Sequence, residues 1–90
     1  MNASPRSFRL FVGVDIAATS FAASWTTAPP FTAPARSFAQ SPHGFAAFQA
    51  ALASTIISAA ETLIVLEATG SYWITLAVTL HQAGYYVSVV

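Results

Sequence analysis

The sequence has no cysteine and no lysine, and its formal charges are three arginines against three acids. Without cysteine, neither a disulfide nor a thiolate metal site can form, and the cytoplasm is the expected location. The cations are Arg6, Arg9 and Arg36, and the net charge is zero. A chain that grips DNA by itself needs several phosphate contacts from basic side chains, so this one cannot be self-sufficient in that role. Glycine is also scarce, with four residues, and none form the cradle that phosphate-binding loops need. A membrane span is not expected. Phe45 to Ala60 is apolar but interrupted by Gln49, Ser54, Thr55 and Ser58, and it is shorter than the ~20 residues that crossing requires. Arg6 and Arg9 before Leu10–Val14 imitate the start of an export signal, but Asp15 ends that apolar core at once.

Apolar residues are abundant instead. They make up 56% of the chain, with 7% charged, where charged residues usually reach about 25%. Ninety residues make one small domain with much surface for its volume. The expected explanation is that these residues are one portion of a larger domain.

The order of elements follows from periodicity and punctuation. Residues 1–7 read as a tail and 8–90 as one partial domain. Phe8 to Ile16 is a nearly continuous apolar run, which suits a central strand buried on both faces. Ser20 to Thr26 alternates Phe21, Ala23 and Trp25 against smaller residues, the pattern of a half-buried strand. Ala28-Pro29-Pro30 is a turn, and a third strand lies around Ala35 to Ala39. Ser41 caps a helix with Pro42 at its first position. Phe45, Phe48, Leu52 and Ile56 form that helix's apolar stripe. Leu63 to Glu67 is a fourth strand, Thr69-Gly70-Ser71 a turn, and Tyr72 to Gln82 a second helix. Gly84 ends it as a left-handed cap. Tyr85 to Val90 is a fifth strand. A three-strand meander followed by helix, strand, helix and strand, with right-handed crossovers, sets the first and fourth strands side by side and parallel. The expected class is α/β, a ribonuclease H-like (RuvC-like) mixed sheet, incomplete at its carboxy-terminal end.

The acids are Asp15, Glu61 and Glu67. Asp15 lies in the first strand and Glu67 at the end of the fourth. If those strands are neighbours about 4.8 Å apart, the two carboxylates can share a divalent cation. Phosphodiester chemistry uses such ions, in pairs about 3.5–4 Å apart, to activate one oxygen and stabilise another. Equally, Asp15 reads as a strand-end turn residue holding backbone amides, and Glu67 as a surface acid at a strand end, favoured by a nearby helix N-terminus. Glu61 is assigned to solvent, His43 to a solvated or capping role, and His81 to a favourable place at a helix end. Trp25, Tyr72 and Trp73 could stack on bases, but core packing is the simpler reading.

Several blocks together carry more information. These are Phe11-Val12-Gly13-Val14-Asp15-Ile16-Ala17, Gly44-Phe45, Leu66-Glu67-Ala68-Thr69-Gly70-Ser71-Tyr72-Trp73, Leu76-Ala77 with Leu80, and Ala83-Gly84 with Val87–Val90. In order and spacing this set resembles the amino-terminal domain of the insertion sequence 110 family of transposases. The glutamate-alanine-threonine-glycine-serine-tyrosine block is its most specific part. The resemblance implies a RuvC-like fold and an Asp-Glu-Asp-Asp set around Mg²⁺ (or Mn²⁺), with Asp15 as the first acid and Glu67 as the second, both catalytic metal ligands. It implies DNA transposition and recombination as the activity and DNA as a partner of the full-length protein. It also implies a guide RNA in some members, and a homo-oligomer. Many relatives carry a lysine three positions after the first aspartate and an acid four further on, where this chain has Ala18 and Ala22. The last two aspartates and the family's serine-bearing carboxy-terminal domain have no counterpart here, so the chain alone is expected to be inactive.

Two other readings stand beside this one. A sugar-kinase or actin-like nucleotide-binding fragment shares the topology but wants glycines after the first aspartate, where Ile16-Ala17-Ala18-Thr19 stands. A non-catalytic remnant would show no thermal response to Mg²⁺ or Mn²⁺.

Overall fold

The computed structural model describes residues 7–68 and 70–90, so most of the proposed tail, and Thr69 in the proposed turn, lie outside the described residues. The elements are β1 (Leu10–Ile16), β2 (Ser20–Thr26), β3 (Arg36–Ala39), α1 (Pro42–Ala53), β4 (Thr62–Leu66), α2 (Ile74–Gln82) and β5 (Tyr86–Val89), with a short 3-10 turn at Ala59–Glu61. They form one five-stranded mixed sheet in the order β3-β2-β1-β4-β5. β1, β2 and β3 are an antiparallel meander. β1 and β4 run parallel side by side, as expected, and β5 continues the parallel half.

Both helices pack on one face of this sheet. Leu10, Val12 and Val14 of β1, Phe21 and Ala23 of β2, and Ile64 and Leu66 of β4 point to that face. There they meet Phe45, Phe48 and Leu52 of α1 and Leu76, Ala77 and Leu80 of α2. Phe48 is fully buried among Phe21, Phe38 and Trp25, with ring centroids 5.1–6.1 Å away. Trp25 and Trp73 pack at the rim of this cluster, and Tyr72 is exposed.

β1 is central but not buried on both faces. Its burial alternates because, among the described residues, no helix covers the second face, so the apolar run reflects position in the sheet rather than double coverage. Ile56 likewise does not extend the stripe of α1. The helix ends at Ala53, where the Ser54 and Thr55 hydroxyls donate to the Ala51 and Leu52 carbonyls. Hydroxyl donation of this kind competes with helix continuation. Ile56 then turns to φ 63° and is 91% exposed.

The caps behave as read. The Ser41 hydroxyl accepts from the Gly44 amide at 3.1 Å. At the carboxy-terminal end of the second helix, α2, Gly84 has φ 96°; its amide donates to His81 O and the Tyr85 amide to Leu80 O. That pair of bonds is a Schellman closure, which needs the left-handed conformation that glycine adopts without strain. Among the described residues no helix is long and apolar enough to cross a membrane.

Candidate metal-binding face

The parity of two strands decides where the acids go. In β1, residues 10, 12 and 14 face the helices, which sends Phe11, Gly13 and Asp15 to the uncovered face. In β4, residues 62, 64 and 66 face the helices, which sends Leu63 and Val65 to the same uncovered side; β4 ends at Leu66, so Glu67 is the first residue past it and continues that alternation. Asp15 and Glu67 are both exposed. Asp15 is therefore not enclosed in apolar surroundings, as a buried central strand would have required.

Register then sets them level. The parallel pairs run from Leu10 with Thr62 to Val14 with Leu66, a constant offset of 52 residues. Asp15 and Glu67 are also 52 apart in the chain. The ladder itself stops at Val14 and Leu66, one residue short of the acids; its offset, continued by one residue, would set them opposite one another at the ~4.8 Å spacing of neighbouring strands. Both lie at the carboxy-terminal ends of parallel strands, the end where ligands of open α/β sheets bind. Among the described residues neither carboxylate has a hydrogen-bond donor or cation as a partner.

The surroundings are apolar. A groove of about 410 Å³ runs along the uncovered face between Phe11, Gly13, Pro29, Phe31, Leu63 and Val65, with Glu67 and Val90 at one end. Phe31 reaches over Gly13, where an added Cβ would sit 4.0 Å from its ring. The groove touches Glu67 but not Asp15, so it is a flank of the acid pair rather than the pair's own pocket.

The other sequence candidates separate from this pair. Glu61 is not simply solvated. Its carboxylate accepts from Ser58 Oγ at 3.1 Å and pairs with Arg9 at 3.4 Å, while the Arg9 amide donates to its carbonyl. These bonds fasten the start of β1 to the turn before β4. His43, in the first turn of α1, and His81, in the last turn of α2, are exposed. Among the described residues no group of three or more His, Asp or Glu side chains gathers as a metal site.

One residue of this region carries no signal in the sequence. Gln40, between β3 and the cap of α1, donates through Nε2 to the Ala17 carbonyl at 3.2 Å and to the Tyr72 carbonyl at 3.0 Å. A lone glutamine before a capping serine gives no sign of contacts so far along the chain.

A family model described as a transposase, the DEDD type of insertion sequence 110, matches residues 12–90. No curated protein matches the chain.

Proposed function

Starting from the fact that this chain belongs to the insertion sequence 110 family of transposases, we propose that β1 and β4 supply two of the acids of a metal-dependent DNA transposase. Asp15 and Glu67 are the catalytic metal ligands. The observation that carries this reading is the coincidence of offset and parity. The β1–β4 register offset equals the spacing of the two acids, and both fall on one open face.

The donor set fits the ion. Two carboxylates with no other partner among the described residues offer only oxygen, which suits Mg²⁺ or Mn²⁺, and Mg²⁺ keeps several waters when one or two carboxylates hold it. When bound, such an ion supplies activation of an attacking oxygen and stabilisation of a leaving one at phosphorus. What the chain's own residues do is hold two carboxylates level on adjacent strands and leave the face above them open to a substrate. The sheet is read as ribonuclease H-like (RuvC-like), supported by an antiparallel meander joined through β1 to parallel β4 and β5.

The remaining two aspartates of a four-acid set are not among these 90 residues, whose one aspartate is Asp15. By itself the chain is therefore a metal-binding half-site without strand-transfer activity. DNA is the partner through additional residues, because three arginines make too few phosphate contacts. A guide RNA and a homo-oligomer rest on the family resemblance alone.

Calorimetric titration with Mn²⁺ of the unmodified chain, Asp15→Ala, Glu67→Ala and the double variant tests the shared ligand pair. Either single substitution is expected to remove most of the binding, and the double variant to add little, because the two residues act as one unit. Additive losses in the two singles would contradict a shared ion.

A further inference from the structure

The pairing of β1 with β4 ends at Val14 and Leu66, just before the two acids. Beyond them the chain leaves β1 through Ala17 and enters the turn before α2 through Gly70 to Trp73. The β4 side is held to β5, since the Val90 amide donates to Leu66 O and the Ala68 amide to Val90 O on either side of Glu67; among the described residues, Gln40 is what joins the two outgoing segments to each other. Its Nε2 donates to the carbonyl of Ala17, two residues after Asp15, and to the carbonyl of Tyr72, five residues after Glu67. Both partners are acceptors only, so the amide nitrogen must face them, and its two hydrogens match the two carbonyls. Asp15 and Glu67 thus lie between two cross-ties: the last pair of the β1–β4 ladder on one side and the Gln40 bridge on the other.

The bridge is itself held. The Gln40 amide donates to Thr19 O at 3.0 Å, which fixes its backbone to the β1–β2 turn. The next residue, Ser41, caps α1. The preceding residue, Ala39, lies under Gly44 so closely that a Cβ on Gly44 would collide with the Ala39 backbone. A donor mounted on so constrained a stem holds its acceptors at a set position instead of following them.

We propose that Gln40 is a positioning residue for the acid pair, setting the separation of Asp15 and Glu67 by clamping the segments that follow them. This rests on the reading of those acids as ligands of a shared cation. The bridge lies near the surface, where a hydrogen bond contributes little to folding stability. Its effect is on geometry, and a small divalent ion with strict coordination demands is sensitive to that.

The test compares the unmodified chain with Gln40→Met, which keeps length and volume but cannot donate. Each is titrated with Mn²⁺ and melted with and without the ion. Mn²⁺ affinity is expected to fall about tenfold, the low end for residues that orient metal ligands, while metal-free melting stays nearly unchanged. Unchanged affinity in a folded Gln40→Met overturns the positioning role and leaves the acids as ligands. Absence of Mn²⁺ binding in the unmodified chain overturns both. A second measurement needs no substitution. In the unmodified chain, the Gln40 side-chain amide resonances are expected to shift along with the backbone amides of residues 15–17 as Mg²⁺ is added. Backbone shifts with a stationary Gln40 amide would contradict the clamp.

Discussion

Asp15 and Glu67 stand on the uncovered sheet face, so replacing either leaves the core intact. Asp15→Ala and Glu67→Ala are each expected to change unfolding free energy by less than about 0.5 kcal/mol, as read by denaturant titration in metal-free buffer. A large loss in either would mean that the carboxylate holds the fold rather than an ion. Gly44 is the opposite case. It touches no candidate ligand, yet a methyl there meets the Ala39 backbone. Gly44→Ala is expected to cost about 1–3 kcal/mol, the range for forcing extra volume into a packed contact, and the same titration measures it. Both acids were visible in the sequence as the acids of two apolar strands, but the exposure of Asp15 was not. A strand's composition does not say whether its second face has a covering layer. Gln40 was not legible at all, because its two acceptors lie 23 and 32 residues away and only the folded topology brings them together.

Helix ends explain most of what local sequence specified well. Ser41 with Pro42, and Gly84 after the last turn of α2, are punctuation whose meaning is set within a few residues, and both act as read. Ser41→Ala is expected to cost about 1 kcal/mol through the lost bond to the Gly44 amide. Ile56 shows the limit of periodicity. It continues the spacing of Phe45, Phe48 and Leu52, but the hydroxyls of Ser54 and Thr55 end the helix first. Tyr85, just after the Schellman glycine, packs against the core, and burial raises its phenol above the ordinary value of 10.0. The unfolded chain then loses this proton more readily than the folded one. The stability Tyr85 contributes is complete below pH 10 and is lost as pH rises through its raised value. A melting series in alkaline buffers should show that decline weakened in Tyr85→Phe.

At the scale of the whole fold, among the described residues both helices cover one sheet face and no helix covers the other. The covered side concentrates its packing in few residues. Phe48→Ala is expected to cost about 3–5 kcal/mol, comparable to the full stability of about 5–13 kcal/mol that 90 residues would have at 0.05–0.15 kcal/mol each. The bare side explains the unusual composition. Phe11, Leu63, Val65 and Phe31 line its groove, and apolar residues placed there raise the apolar share without adding to the core. The meander and the parallel neighbours β1 and β4 were legible because a meander and right-handed crossovers leave few arrangements. The bareness of the second face was not, because an apolar strand reads alike whether or not something covers it.

The proposed sharing of one cation by Asp15 and Glu67 rests on the β1–β4 register. Paramagnetic broadening by substoichiometric Mn²⁺ in an amide-resolved NMR spectrum tests it most directly. Signals of residues 14–17 and 66–68 are expected to broaden together, at the same Mn²⁺ concentration and before any others. Broadening centred on Glu61 or on a histidine, or separate responses from the two strand ends, would contradict it.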